Sequence, residues 1–302
     1  MGMIATALAI LAALGVGAAL TWVLERLFWQ PGSEPGPAHI AEIGRNLDIV
    51  NSDRWLLPAG PVVALAGVAL AMVVVPFGPG LIGRDLRIGV FYVIVVIDFV
   101  VLGLALAGWG TDTPDAVEAC YRIIAQLVAY VVPLGLAYVG VIMMARSLST
   151  VAIVEAQNGL WFVVLQPIGF VLYLVTGLMQ SYRAPFLEPF AVSIGGGVLG
   201  ACGGWSALLW RIALAGVLFL VAAIGAVLYL GGPNGPVLPG WVWMIIKTYG
   251  LMALMLGLGR TVRPLSTASM LALSWKILIP LGLLNVLLVG GFILLGIGPS
   301  RP

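Results

Sequence analysis

Long apolar runs separated by short polar breaks make up the pattern of this chain. Each run has about 20 residues, enough to cross the hydrocarbon core of a bilayer as a helix. The pattern therefore predicts an all-α fold, a polytopic membrane bundle of about eight transmembrane helices, forming a single integral membrane domain over residues 1–302. The runs are Ile4–Val23, Leu56–Val75, Ile88–Ala107, Ile123–Ala145, Leu160–Met179, Leu208–Leu230, Trp241–Leu258 and Leu271–Leu294.

One apolar stretch, Phe190–Trp205, has a different composition from these runs. It carries six glycines, at positions 195, 196, 197, 200, 203 and 204, which is too many for an ordinary helix interior. Irregular backbone at membrane depth is tolerated only where protein or a water-filled cavity satisfies its polar groups. We therefore expect a bent glycine-rich segment that lies inside the bundle.

The basic residues predict the orientation, because lysine and arginine are enriched in cytoplasmic loops. On an eight-span path most of them fall on one side, and this places the N-terminus outside. The loop Glu25–Trp55, the loop around Arg183 and the loop Arg260–Arg263 are then expected to converge on one cytoplasmic mouth. The majority side holds Arg26, Arg45, Arg54, Arg122, Arg183, Arg211, Arg260, Arg263 and Lys276, against Arg84, Arg87, Arg146 and Arg301.

Composition supports the membrane assignment and excludes other classes. Hydrophobic residues make up 62% of the chain and charged residues 9%, and the mean hydropathy is +1.14, beyond what a water-soluble core requires. A net charge of +2 without a basic run argues against nucleic acid. His39 is the only histidine, and Cys120 and Cys202 are far apart, so neither a metal centre nor a bis-histidine haem is expected.

Several short motifs occur in an order and spacing that resemble one membrane protein family. Together they resemble the membrane heel subunit of complex I, the NADH-quinone oxidoreductase, and are less similar to the related subunit of membrane-bound hydrogenases. Any one motif alone would be a weak signal, but the ordered set is much more specific. The motifs are Val75–Gly80, Ile88–Val90, Ala107–Trp109, Arg122–Gln126, Ile153–Gln157, Leu165–Gly169, Gln180–Pro189, Trp243 with Lys247, and Trp275–Lys276 with Pro280.

The resemblance implies a subunit that joins a peripheral redox arm to a proton-pumping membrane arm and walls a long quinone chamber. Such a chain has no redox centre and no covalently bound cofactor of its own, and its ligand is a quinone. The implied partners are quinone-side hydrophilic subunits, antiporter-like subunits, small membrane subunits and lipid. The implied location is the bacterial inner (plasma) membrane.

Matching positions give the site residues that the resemblance implies. The quinone cavity would be walled by Arg26, Gln180, Tyr182, Arg183 and Phe186. The chain departs from the family where carboxylates are expected: Gln180 replaces a glutamate, Tyr130-Val131 replaces a Tyr-Glu pair, and apolar residues replace further acids. Those apolar residues are Leu187, Phe190, Val192 and Ile194.

With so few acids left, the predicted proton pathway uses Asp98, Lys247 and Glu25. An intramembrane charge is costly unless it is paired or hydrated, so such a residue is a functional candidate by default. Asp98 could equally be a hydrogen-bonded acid that seals a helix contact. Lys247 could pair with Asp98, hold a lipid or quinone head group, or reach the interface as a structural residue.

Two other function classes remain open at this point. The missing acids and the altered first loop also fit a non-catalytic membrane anchor or scaffold paralogue. Interrupted helices and glycine-rich membrane segments also mark substrate sites in small-solute transporters, although no internal repeat relates the two halves of this chain.

Overall fold

The computed structural model describes residues 53–78, 80–190, 197–200 and 202–296, together with 15, 17 and 19–24. Glu25 and Arg26, predicted as site residues, and the substituted positions Val192 and Ile194 lie outside the described residues. Within the described part the protein is all-helical and forms no strand, and an isolated bridge joins Gly78 to Leu81.

Twelve α-helices are numbered here in chain order from residue 53. A 3₁₀ turn at Glu188–Phe190 lies between α7 and α8, and a π-helical segment at Ser274–Leu278 joins α11 to α12. The α-helices are α1 Leu56–Met72, α2 Gly89–Ile97, α3 Phe99–Gly110, α4 Pro114–Ala145, α5 Thr150–Glu155, α6 Phe162–Leu165, α7 Pro167–Gln180, α8 Gly197–Gly200, α9 Gly204–Tyr229, α10 Gly240–Thr261, α11 Thr267–Leu273 and α12 Ile279–Leu294.

Five continuous helical segments of the described part are long and apolar enough to cross a membrane. Two shorter apolar helices, α1 and α7, accompany them, and most of the first predicted run lies outside the described residues. The integral membrane bundle is thus supported, whereas the count of about eight spans is not confirmed. The five segments are Gly89–Gly110, Pro114–Ala145, Gly204–Tyr229, Gly240–Thr261 and Thr267–Leu294.

The predicted run Leu160–Met179 is interrupted in the structure. Helix α6 ends at Leu165, and α7 begins at Pro167. Gln166 between them has φ −133° and ψ 60°, because a residue that precedes proline is sterically pushed out of the α region. The run is therefore two helices joined at Gln166 rather than one continuous span.

Helix α9 forms the centre of the bundle and the Thr267–Leu294 segment lies at its edge. The most apolar 18-residue stretch of α9 is 94% buried, whereas that of Thr267–Leu294 is only 22% buried. A helix that is apolar on all sides is either buried or faces lipid. Helix α9 is the buried case, and Thr267–Leu294 is the exposed one. The edge segment therefore faces lipid or another subunit.

Small residues allow α1 and α3 to pack backbone against backbone. A Cβ added at Gly60 would lie 2.6 Å from the Gly103 carbonyl oxygen, and one added at Gly103 would lie 2.4 Å from the Gly60 oxygen. Small residues at helix contacts are a general device of membrane bundles, where close approach maximises van der Waals contact. This pair fixes α3, which follows Asp98, against the start of the bundle.

The described parts of the glycine-rich segment agree with a bent, internal course. Gly197 and Gly204 have φ values of 57° and 56°, which L-residues with side chains rarely adopt. Val198, Leu199 and Cys202 are fully buried between them. The segment therefore turns inside the bundle at its described positions rather than spanning it.

Candidate functional site

Two of the three predicted polar loops meet at one end of the bundle. The Leu265 amide donates to the Pro185 carbonyl oxygen at 2.9 Å, joining the loop around Arg183 to the segment that follows α10. Gly259 permits this contact, since a Cβ there would lie 2.2 Å from the Ala184 oxygen. The convergence of these two loops is confirmed, and most of the third loop lies outside the described residues.

Glu188 connects this loop to two other elements. One carboxylate oxygen accepts hydrogen bonds from the Thr267 amide and hydroxyl at the start of α11. The other lies 3.7 Å from Arg122 of α4, which also pairs with Glu118. A carboxylate at a helix N-terminus is stabilised by the free amides and the helix dipole. Glu188 therefore fixes the Gln180–Pro189 loop between α4 and α11.

Gln126 holds the same loop from the bundle side. Its Nε2 donates to the Met179 carbonyl oxygen at 2.6 Å and reaches the Phe186 carbonyl oxygen at 3.4 Å. Met179 lies in the last turn of α7 and Phe186 in the loop that follows, and carbonyls at a helix end or in a loop lack regular intrahelical partners. One buried amide thus supports both ends of the Gln180–Phe186 segment.

The four described residues predicted to wall a quinone cavity, Gln180, Tyr182, Arg183 and Phe186, lie together and are buried. Arg183 donates through Nη1 to the Ser181 carbonyl oxygen at 3.3 Å and through Nη2 to the Leu214 carbonyl oxygen of α9 at 3.4 Å. The arginine therefore ties the loop to the central helix.

Tyr182 has two unusual properties for a tyrosine. Its backbone is left-handed, with φ 52°, an uncommon conformation for a bulky residue that often marks functional sites. Its hydroxyl is buried and has no hydrogen-bond partner among the described residues. Burial raises the pKa of Tyr182, so the hydroxyl keeps its proton and remains a donor.

Asp98 lies where α2 meets α3, close to the Gln180 end of this loop. The Tyr130 hydroxyl of α4 donates to the Asp98 carboxylate at 3.0 Å, and the Gln180 side chain lies beside both groups. The hydrogen-bond partners of Asp98 among the described residues, Tyr130 and Gln180, are both neutral. The structure therefore brings together Asp98, predicted as a proton-pathway residue, and Gln180, predicted as a quinone-cavity residue.

The Lys247 ammonium lies elsewhere, beside the turn that follows α9. It donates to the carbonyl oxygens of Leu230, Gly232 and Asn234 at 2.6, 2.9 and 2.6 Å. It also lies 4.4 Å from the Trp161 ring centroid and 5.6 Å from that of Trp243. Of the alternatives open for Lys247, pairing with Asp98 is not what the structure shows, because backbone carbonyls at and after the C-cap of α9 accept from the ammonium.

Three contacts around the site were not predicted from the sequence: Tyr130 with Asp98, Gln126 with the loop carbonyls, and Glu188 with Thr267. The available signals were the Tyr130-Val131 pair, where the resemblance implied a lost carboxylate, and the Arg122–Gln126 motif. Within the described residues no group of three or more His, Cys, Asp or Glu side chains could hold a metal ion. An open surface depression lies elsewhere, along the start of α4 around Pro114 and Tyr121.

Comparison with known proteins identifies the family. A family model described as NADH dehydrogenase matches residues 46–290. The H subunit of NADH-quinone oxidoreductase from Syntrophotalea carbinolica is 34% identical over 255 residues, covering 80% of this chain and 77% of that protein. The chain belongs to this membrane subunit family of NADH-quinone oxidoreductase. A corresponding H subunit from Rhodopseudomonas palustris is 32% identical over 302 residues, covering 95% of each chain.

A solved structure agrees on the fold. A chain of the membrane-bound sulfane sulfur reductase, an archaeal respiratory membrane complex, superposes with a TM-score of 0.82 at 21% identity, covering 96% of this chain and all of that one. The resemblance drawn from the motifs is therefore confirmed. The chain is an integral membrane member of the family, and neither the transporter interpretation nor the scaffold alternative is favoured.

Proposed function

We propose that this chain is the membrane subunit of a complex I-like NADH-quinone oxidoreductase, where it docks the peripheral redox arm and walls a quinone chamber. The single observation that carries the proposal is the family match over residues 46–290. The electron-carrying groups would belong to hydrophilic partner subunits, and antiporter-like and small membrane subunits would continue the membrane arm. The proposed location is a bacterial inner membrane, with the N-terminus outside.

The proposed quinone contacts lie on the loop that leaves α7. Tyr182 offers a buried hydroxyl without a described partner, and its raised pKa keeps the proton in place. A quinone carbonyl oxygen would satisfy this donor, and an unsatisfied buried hydroxyl costs about 1–3 kcal/mol. Arg183 and Phe186 would shape the wall beside it, and Arg26 would contribute from outside the described residues.

The proposed proton site is Asp98. A proton relay needs a group that can exchange a charge, and Gln180 beside Asp98 can hydrogen-bond but cannot titrate. The Tyr130 contact at 3.0 Å supplies an adjacent hydroxyl through which a proton can pass. Glu25 and Lys247 stay predictions for this pathway, since Glu25 lies outside the described residues and Lys247 is held by carbonyls at and after the C-cap of α9.

Photolabelling tests the quinone site. The complex is purified through a tag on this chain and illuminated with an azido-quinone, and label is expected in the Gln180–Phe186 segment. Tyr182→Phe should raise the quinone KM about tenfold, the equivalent of one lost hydrogen bond of about 1.4 kcal/mol. Tyr121→Phe, an exposed tyrosine at the start of α4, serves as the matched control.

Two results would count against the proposal. Absence of label near Arg183 would remove the quinone chamber from this chain. Recovery of the tagged chain without any redox subunit would support the anchor paralogue instead.

A further inference from the structure

Lys276 carries a positive charge at membrane depth on the outside of the bundle. It lies in the π-helical segment Ser274–Leu278, within the membrane-spanning segment Thr267–Leu294. Lys276 itself is exposed, as are its neighbours Trp275 at 58% and Ile277 at 49%. Among the described residues no carboxylate forms an ion pair with the Lys276 ammonium.

Contacts with α4 fix the depth of this lysine. The Ser274 hydroxyl donates to the Ala129 carbonyl oxygen, and Asn285 further along lies against Gly140. The two helices therefore run in the same direction, and Lys276 lies about 3 Å along the axis from the level of Ala129, at 1.5 Å per residue. Ala129 precedes Tyr130, the partner of Asp98, so Lys276 and Asp98 lie at similar depth.

The Lys276 ammonium lies too deep to pair with a lipid phosphate. Lys276 is nine residues from Thr267, where the segment begins after Arg260 and Arg263, a rise of about 14 Å. A four-carbon stem is too short to carry the ammonium that far to the interface. A charge in the hydrocarbon region instead pairs with another protein group or lines a water-filled cavity.

The surface around Lys276 fits another helix. Pro280, Leu283 and Leu287 follow at spacings of three and four residues on the same face, and all are exposed, the two leucines at 52% and 73%. We propose that Lys276, Pro280, Leu283 and Leu287 form the interface to a neighbouring membrane subunit, whose helix presents a carboxylate to the Lys276 ammonium. This inference rests on the proposed function, because it requires a multisubunit membrane complex.

The proposed interface lies close to Asp98. The same π-helical segment directs Ser274 inward to the backbone beside Tyr130 and carries Lys276 on the outside. A subunit bound at Lys276 is thus one helix away from the Asp98–Tyr130 pair.

Photocrosslinking in the assembled complex tests the interface. A benzoyl-phenylalanine placed at Leu283 in the otherwise unchanged chain is expected to crosslink to a membrane subunit, on a helix that carries Asp or Glu. Lys276→Met should lower that yield about tenfold, a coupling of about 1.4 kcal/mol, while the hydrophilic subunits still copurify. Lys276→Arg keeps the charge and should retain the crosslink. A benzoyl-phenylalanine at Val237, which is fully exposed outside the helices, controls for unspecific capture.

The contrary outcomes are distinct. Crosslinks to lipid alone, or an unchanged yield in Lys276→Met, overturn the interface while the copurified subunits leave the proposed function standing. If Lys276→Met fails to assemble, the test uses the Leu283 crosslinks of the unchanged chain and of Lys276→Arg. Crosslinks from both to a helix that carries Asp or Glu support the interface, and their absence overturns it. A wild-type chain that copurifies with no respiratory subunit overturns the proposed function, and the interface with it.

Discussion

Asp98 and Lys247 are two ionisable side chains inside membrane helices, and their surroundings differ in kind. Lys247 is buried, and its three donors meet three backbone carbonyls beside two indole rings. Asp98 is half-buried and meets a tyrosine hydroxyl and a glutamine amide. The carbonyl partners of Lys247 do not titrate and cannot pass a proton on. The hydroxyl partner of Asp98 can both accept and donate a proton.

These different surroundings indicate a structural role for the Lys247 charge and a role in proton exchange for Asp98. The Lys247 ammonium binds the carbonyl of Leu230, the C-cap of α9, and the carbonyls of Gly232 and Asn234 in the segment that follows, so it holds together the turn after the helix. Asp98 joins α2 to α3, but its side chain makes no capping hydrogen bond to α3. We therefore expect Lys247 to matter chiefly for stability and Asp98 chiefly for proton coupling.

The largest expected effect is on stability at Lys247. Lys247→Met leaves three carbonyls without their donor and should lower the free energy of unfolding by about 3 kcal/mol. Lys276→Met, an exposed lysine in another span, is the matched control and should change the isolated chain by less than about 1 kcal/mol. Unfolding by SDS in mixed micelles measures both. If both variants lose the same free energy of unfolding, the contacts of Lys247 do not contribute specially to stability.

A second comparison uses one buried glutamine from each region. Gln157, near Lys247, makes four hydrogen bonds, donating to Ile153 and Val227 and accepting from Phe162 and Gly231. Its replacement by Leu should cost about 2–3 kcal/mol of unfolding free energy.

Gln126 donates only to Met179 and Phe186 near Asp98, so Gln126→Leu should cost about 1 kcal/mol. The same SDS titration ranks the two variants. A larger loss for Gln126→Leu would contradict the view that the Lys247 end is the more rigidly held.

The smallest effect on stability is expected at Tyr130. Tyr130→Phe removes one hydroxyl and should cost less than about 1 kcal/mol, yet it removes the hydrogen bond to Asp98. Proton uptake coupled to turnover in the assembled complex should fall about tenfold. Tyr138→Phe keeps the Asp98 contact and is the control. If both variants behave alike, the Tyr130 hydroxyl has no part in the proton route.

The helices and the site loop were predictable to different extents. Hydropathy predicted α9, α10 and the Thr267–Leu294 segment to within a few residues, because membrane crossing demands long apolar runs. The same signal joined α6 to α7 across Gln166, although Pro167 marked the break. The start of α4 was placed late, at Ile123 rather than Pro114, since its first two turns are amphipathic and polar.

At the site, the sequence identifies charged side chains that are costly to bury in a membrane, but not the residues that contact them. Asp98 stood out because a carboxylate in an apolar run is expensive. Tyr130 did not, because a tyrosine in a membrane helix is commonplace. The carbonyls around Lys247 have no sequence signature, so the sequence leaves open a pairing of Lys247 with Asp98 that the structure does not show. Contacts made by backbone are only visible in three dimensions.

The role of Asp98 is tested most directly by counting protons translocated per electron pair in proteoliposomes that contain the assembled complex. Asp98→Asn keeps the size and hydrogen-bonding capacity of the side chain but cannot titrate, and Asp98→Glu restores the acid. We predict a lower ratio for Asp98→Asn and a recovered ratio for Asp98→Glu, with the subunit composition unchanged. An unchanged ratio in Asp98→Asn would contradict the assignment of Asp98 as the intramembrane proton site.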